Sequence, residues 1–205
     1  MVQIIKTNGK GKTFVHVHEN ETTALAAARL YILKKGGTLI TLKHSGKRNI
    51  VFFLDGVRYE FDPNRIFTSQ GIKKTLHKYG HYSQSAFFEV KKLAKEILCL
   101  IPPGKIVAVH NNKNYSLKEY FPTHHLAADS KALAYQPHTS LRNFYFVTKG
   151  QEFSRLKRLK YNVALQSHKA QNDGSLSYYY SKKNYINIEA AYGALNAQLK
   201  MLRSA

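Results

Sequence analysis

The chain has 205 residues, 43% of them hydrophobic, which suits one folded domain over residues 1–205 and argues against a disordered segment. Its 32 basic residues outnumber 12 acidic ones, a net charge of +20, and such a field attracts polyanions without selecting among them. The single cysteine excludes an intrachain disulfide and a cysteine-based zinc knuckle, and no apolar run approaches the roughly 18 residues of a membrane span.

Val2 to Ile5 and Thr13 to Val17 read as short strands around the turn Asn8-Gly9-Lys10-Gly11. Thr22 to Lys35 has helical spacing and stops at Gly36-Gly37. Thr38 to Lys43 is the next predicted strand, and Asn49–Leu54 and Val57–Phe61 flank the hairpin turn Asp55-Gly56. Ser85 to Leu100 reads as a helix halted by Pro102-Pro103-Gly104. Lys105–His110 and Phe144–Thr148 are predicted strands, the second followed by a short helix from Glu152. Asn162–Gln166 and Asn184–Glu189 are the last strands, and Glu189–Met201 the last helix. This alternation predicts an α/β fold: a single three-layer domain with a mixed, mainly parallel central sheet flanked by helices.

Ligands of open α/β sheets bind beyond the carboxyl ends of strands, and three predicted strands end near a residue with useful chemistry: His18, His110 and Glu189. His18 and Glu21 form His-x-x-Glu at the exit of an apolar, β-branched run, Phe14 to Val17. An imidazole and a carboxylate at that spacing can reach one metal ion, and zinc accepts this mixture while keeping a position open for water; the spacing taken alone reads rather as a solvated loop with two unrelated polar residues. Asp62-Pro63-Asn64-Arg65 follows another strand, where Arg65 offers a guanidinium fork beside the Asn64 amide, suited to a carboxylate. Taken alone, the same four residues read rather as a turn made by Asp-Pro-Asn with a surface arginine.

Taken together these segments resemble the zinc carboxypeptidase superfamily, and within it the succinylglutamate desuccinylase and aspartoacylase branch. His18-Glu19-Asn20-Glu21-Thr22 is similar to its first zinc motif, and Asp62-Pro63-Asn64-Arg65-Ile66-Phe67 to its Asp-x-Asn-Arg-x-Phe motif. Val107 to Asn112 resembles the strand bearing the third ligand, and Tyr185 to Ala190 the late strand bearing the catalytic glutamate. The resemblance implies a reduced carboxypeptidase-like domain that hydrolyses an amide or peptide bond next to a carboxylate-bearing group. It implies one zinc per chain on His18, Glu21 and His110, with Glu189 as general base and Arg65 with Asn64 binding substrate. It gives no transition-state-stabilising arginine; Arg48, Arg58 and Arg142 stand open, as do Tyr178, Tyr179, Tyr180, Tyr185 and Tyr192 near the substrate.

Other features have plainer accounts. Gly9-Lys10-Gly11-Lys12-Thr13 is a fragment of a phosphate-binding loop, but Lys6 stands where the full pattern needs glycine, and a strand follows instead of a helix. His16 alternates with His18, which makes it either a support for the site or an ordinary strand residue. His77, His81, His124 and His125 lie in polar stretches and are expected at the surface. Gln171 to Ser177 is a polar loop, a rim for the site, with Asp173 as a turn former. Cys99, between Leu98 and Leu100, is expected as a buried thiol. The basic surface favours an anionic small molecule or peptide, such as a cell-wall peptide or an acylated acidic amino acid. No nucleic-acid module accompanies the lysine clusters, so no specific nucleic-acid partner is expected. An inactive relative that binds an anionic ligand, and a basic polyanion-binding protein, are the competing accounts. Met1 to Lys6 is too short of apolar residues for a signal peptide, which fits a cytoplasmic protein or an exported one whose signal was removed.

Overall fold

The computed structural model of the chain describes residues 2–205. Ten strands form: β1 (Gln3–Thr7), β2 (Thr13–His16), β3 (Thr38–Lys43), β4 (Ile50–Leu54), β5 (Val57–Phe61), β6 (Ile106–Asn112), β7 (Ser130–Ala134), β8 (Phe144–Val147), β9 (Val163–Gln166) and β10 (Tyr185–Ala191). The helices are α1 (Thr22–Lys35), α2 (Ser69–Tyr79), α3 (Gln84–Leu100), α4 (Gly150–Arg158), α5 (Leu176–Tyr179) and α6 (Leu195–Ser204). Eight strands make one mixed sheet in the order β1-β3-β2-β6-β10-β8-β9-β7, and β4 and β5 form a separate hairpin. The pairs β3/β2, β2/β6, β6/β10 and β8/β9 are parallel; β1/β3, β10/β8 and β9/β7 are antiparallel.

Side-chain alternation along the strands divides the core in two, because neighbouring residues of a strand face opposite sides. Val107 and Val109 of β6 pack with Ala24, Ala27 and Ala28 of α1, Leu156 of α4 and Leu202 of α6. Ile106 and Ala108 face the other way, onto Ile72 and Leu76 of α2, Val90 and Ile97 of α3, and the hairpin residues Ile50 and Phe61. The result is a three-layer α/β fold, as the sequence predicts.

Some boundaries differ. Strands β6 and β10 run two residues past His110 and Glu189, while β2 stops two short of His18. The final helix starts at Leu195, after a turn through Gly193 at φ +83°. Helix α2 and strand β7 are elements that the sequence pattern does not announce. Cys99 is exposed, a correction to the buried thiol: on α3 the core stripe is Phe87, Val90, Ala94 and Ile97, and position 99 falls outside it. The Gly9–Thr13 segment does lead into a strand, and Lys12 Nζ donates to the carbonyls of Leu202 (2.9 Å) and Arg203 (3.0 Å). That lysine satisfies the end of α6, where a cation is favoured, and serves no phosphate loop.

The connectivity fixes where a cleft forms. From β2 the chain crosses through α1 to β3 on one side; from β6 it goes on to β7, β8, β9 and β10 on the other. The carboxyl ends of β2 and β6 are therefore a topological switch point, the place where open α/β sheets bind ligands.

Candidate metal centre

Strand register delivers the site residues. Glu189 of β10 lies opposite His110 of β6 in the parallel ladder, and each shares its face with inward residues two and four positions earlier. Val15 of β2 pairs with Ala108, so the turn after β2 brings His18 beside His110. Glu21 then stands at the N-cap of α1.

These residues converge. His18 Nδ1 lies 3.2 Å from His110 Nδ1 and 2.9 Å from Glu21 Oε1. His110 Nδ1 lies 2.9 Å from Glu21 Oε2. Ligand atoms of all three fall within 4.8 Å of one another, and all three residues are buried. Ligands at about 2.0–2.1 Å around a tetrahedral zinc stand roughly 3.3–3.4 Å apart, so the donor set and spacing fit that ion. The far nitrogen of His18, Nε2, is 2.7 Å from Asp62 Oδ1. A carboxylate only accepts, so Nε2 donates to Asp62, and a metal ion would bind at Nδ1 in place of the proton that Nδ1 otherwise shares with Glu21. This is the carboxylate support that metal-bound histidines ordinarily have. His110 Nε2 is buried without a partner.

The surrounding contacts hold the carboxylates in place. Arg48 donates to Glu21 Oε1 at 2.7 Å and to Asp62 Oδ2 at 3.4 Å, and the Asn111 backbone N–H donates to Glu21 Oε2 at 3.1 Å. Glu19 is no ligand. Its Oε2 accepts the backbone N–H groups of His44, Ser45 and Gly46 at 2.6–2.8 Å and so pins the loop that delivers Arg48. His16 bonds Thr41 Oγ1 (2.8 Å) and the Glu21 carbonyl (3.1 Å), supporting the turn from behind.

Charge states follow from these contacts. Burial alone would lower the His18 pKa, but the carboxylates of Glu21 and Asp62 outweigh it and raise the ring to about 9. Burial would raise Glu21 and Asp62; His18 with His110 in one case, and His18 with Arg48 in the other, hold both well below the ordinary carboxylate range. Burial lowers His16 to about 4, so its ring is neutral. Glu189 is shifted the other way: burial and the nearby Glu21 push it up, against His110 and two amide donors. Those donors are Asn112 Nδ2 on Oε2 (3.3 Å) and Asn187 Nδ2 on Oε1 (3.2 Å).

All six predicted site residues, His18, Glu21, Asn64, Arg65, His110 and Glu189, line one cleft of about 650 Å³. Asn64 and Arg65 lie in a 3₁₀ turn, Pro63–Arg65, capped by Asp62. Arg65 Nη1 donates to the Asn64 carbonyl (2.9 Å) and faces Asp173 at 3.5 Å. Of the open arginines only Arg48 reaches the centre; Arg142 clamps the Asn112 carbonyl at 2.6 Å, and Arg58 pairs with Glu60 on the hairpin. Tyr178, Tyr185 and Tyr192 line the cleft and Tyr179 and Tyr180 do not. Asp173 does form the expected turn, accepting from Ser175 N at 2.9 Å. His77, His81, His124 and His125 are exposed. The Asp62–His18 bond and the paired hydroxyls of Tyr115 and Tyr120 are features of the site that the sequence reading does not assign. The aspartate was visible inside the Asp-x-Asn-Arg motif; the tyrosines had no signal.

No protein-family profile matches the chain, and no curated protein sequence does. Among solved structures, the gene product Atu2144 from Agrobacterium tumefaciens is similar, with a TM-score of 0.53 at 12% identity over 97% of this chain and 89% of that one. At that identity the likeness speaks for the fold alone. Among the described residues no helix is long and apolar enough to cross a membrane.

Proposed function

We propose that the chain is a zinc-dependent hydrolase of an amide or peptide bond, of the carboxypeptidase and aspartoacylase type that its motifs resemble. The observation that carries the proposal is the convergence of His18, Glu21 and His110 beside Glu189 on the neighbouring strand. The three would hold one zinc ion. When bound, such an ion supplies Lewis acidity and lowers the pKa of a water to about 7.

The protein's own groups would do the rest. Glu189, raised by burial, is suited to take a proton from the attacking water and return it to the leaving nitrogen. Proton transfer of this kind is typically worth 10²–10⁴-fold in rate. Asn112 and Asn187 each hold one of its oxygens, so the carboxylate is oriented before substrate arrives. Arg65, beside Asn64 at the cleft wall, would grip a carboxylate of an anionic small-molecule or peptide substrate.

Metal analysis of the purified protein and of His110→Ala tests the proposal. It expects one zinc per chain in the first and little in the second. No zinc in either, after zinc is supplied, would overturn it.

A further inference from the structure

The cleft of this strongly basic chain is lined by Arg48, Arg65, Lys113 and His125, and also by a group of acids. Glu21, Asp129, Asp173 and Glu189 all line it, a third of the 12 acidic residues. Two of them are spent: Glu21 on Arg48 at 2.7 Å and Asp173 on Arg65 at 3.5 Å. Among the described residues, no lysine, arginine or histidine nitrogen lies within 4.0 Å of Asp129 or Glu189.

Buried oxygens without donors accompany these two carboxylates. Gln166 is 7% exposed, lines the cleft, and its Oε1 accepts nothing. It ends β9 opposite Ser130, next to Asp129, whose carbonyl takes the Ser167 N–H at 2.8 Å. Asn187 is oriented by its own donation to Glu189, which leaves a buried Oδ1 that also accepts nothing. A buried acceptor without a donor costs roughly 1–3 kcal/mol; Asn20 Oδ1, next to Glu21 in the chain, is a third along the cleft, and the two that accompany Asp129 and Glu189 call for a ligand that donates.

The walls agree with that demand. The Tyr115 and Tyr120 hydroxyls bond each other, and the Tyr120 ring stacks on Phe146 at 5.1 Å. Burial raises the Tyr120 pKa against the hydrogen bond with Tyr115, and Glu189, Asp129 and Asp173 add to the rise, so the phenol stays neutral. Neutral aromatic faces beside unpaired carboxylates attract cations.

We propose that the end of the cleft formed by Asp129, Gln166 and the Tyr120 ring is a subsite for a cationic side group of the substrate, an alkylammonium or guanidinium. Asp129 supplies the countercharge, Gln166 Oε1 takes an N–H, and the ring faces the alkyl stem. A net charge of +20 repels cations at long range, so the preference is local to this subsite. The inference rests on the proposed hydrolase only in taking the cleft as the substrate site. The substrate would then carry a carboxylate for Arg65 and a cationic group at the other end, as a basic peptide does.

The test compares Nα-acetyl-lysine with Nα-acetyl-norleucine, both with the free carboxylate that Arg65 would hold and differing in the ammonium group, in NMR titrations of the full chain. Wild type should bind the lysine compound about tenfold more tightly, the equivalent of one charge-assisted hydrogen bond. Asp129→Asn, which keeps the acceptor used by Gln171 N, should abolish most of that ratio, and Gln166→Leu should reduce it about threefold or more. His110→Ala should keep it, whatever its zinc content, which separates this subsite from the metal proposal. Equal binding of the two compounds by wild type, or a ratio untouched in Asp129→Asn, would overturn the inference.

Discussion

Replacing Asp62 by asparagine tests the centre at the support behind it. Asp62 Oδ1 accepts from His18 Nε2 at 2.7 Å and from the Asn64 backbone N–H at 2.8 Å, while Oδ2 faces Arg48 Nη2 at 3.4 Å. An asparagine with its oxygen in the first position keeps both short bonds. Its amino group then points at the Arg48 guanidinium, donor against donor, and the negative charge that makes His18 a stronger base is gone. Loss of such a partner typically weakens metal binding 10–100-fold, about 1.4–2.7 kcal/mol. Competition for zinc against a chromophoric chelator reads that change directly. The metal-free variant should also melt lower, because hydrogen bonds to charged groups contribute about 1.5–3 kcal/mol and each kcal/mol shifts a chain of this size by roughly 2–4 °C. A zinc affinity within twofold of wild type, in a variant with a lowered melting temperature, would refute the argument: the carboxylate would be structural, and His18 would not depend on it as a ligand.

Glu189→Gln should retain zinc and lose turnover by about 10²–10⁴-fold on any established substrate; wild-type turnover would place the proton transfer elsewhere. Arg65→Lys should weaken use of free-acid substrates while leaving zinc content unchanged, because lysine cannot reproduce the planar two-point contact. Substrates with that carboxylate amidated should be poor for both proteins, and a variant that instead affects both forms alike, with a lower melting temperature, would make Arg65 a turn fastener. Glu152→Gln, away from the cleft, should cost roughly 1–2 kcal/mol at pH 7 by removing the carboxylate that pairs with Lys105 (2.6 Å) and Arg155 (2.7 Å). Burial would raise Glu152, yet those two cations hold it below its ordinary 4.5; its stabilisation is therefore present above that pH and lost as pH falls through the folded value, so melting curves of variant and wild type should draw together in acid.

The parts of the fold legible in the sequence are those where local chemistry and tertiary position agree. Helix α1 and strand β3 have the predicted bounds because Gly36 and Gly37 adopt φ +73° and +136°, a conformation that ends a helix and that other residues avoid. Helix α2 was hidden by Gly71 in its first turn and by a lysine-rich surface. Yet Thr68 accepts from Gly71 N at 3.0 Å as a cap, and Ile72, Thr75 and Leu76 keep the spacing of a buried face. Strand β7, Ser-Lys-Ala-Leu-Ala, has weak strand propensity and is fixed by its pairing with β9. At the site, the four residues proposed as ligands and base were legible because His18, His110 and Glu189 lie at or near strand ends and Glu21 caps the helix that follows β2. Tyr115, Tyr120 and Gln166 were not, because what brings them to the cleft is the packing of β7, β8 and β9, and no local spacing encodes that.

That packing also explains why the two ends of the cleft can differ in charge. Gly71 of α2 meets Gly174 so closely that a Cβ on Gly71 would lie 2.3 Å from the Gly174 Cα and 2.5 Å from the Arg65 carbonyl. Phe67 N donates to the Gly174 carbonyl at 2.9 Å, and Thr68 Oγ1 donates to Asn172 Oδ1 at 2.8 Å. The polar loop from Gln171 to Ser175 is thus fastened by backbone contact to the turn that bears Asn64 and Arg65, and Asp173 is brought within 3.5 Å of Arg65. The loop's first residue, Gln171, is tied at its other end to Asp129 by a 2.9 Å bond. One short segment therefore spans from the guanidinium to the unpaired carboxylate and sets the distance between them. If Arg65 and Asp129 hold the two ends of a substrate as proposed, that substrate must match the span, and the loop would set its length as well as form a rim of the cleft.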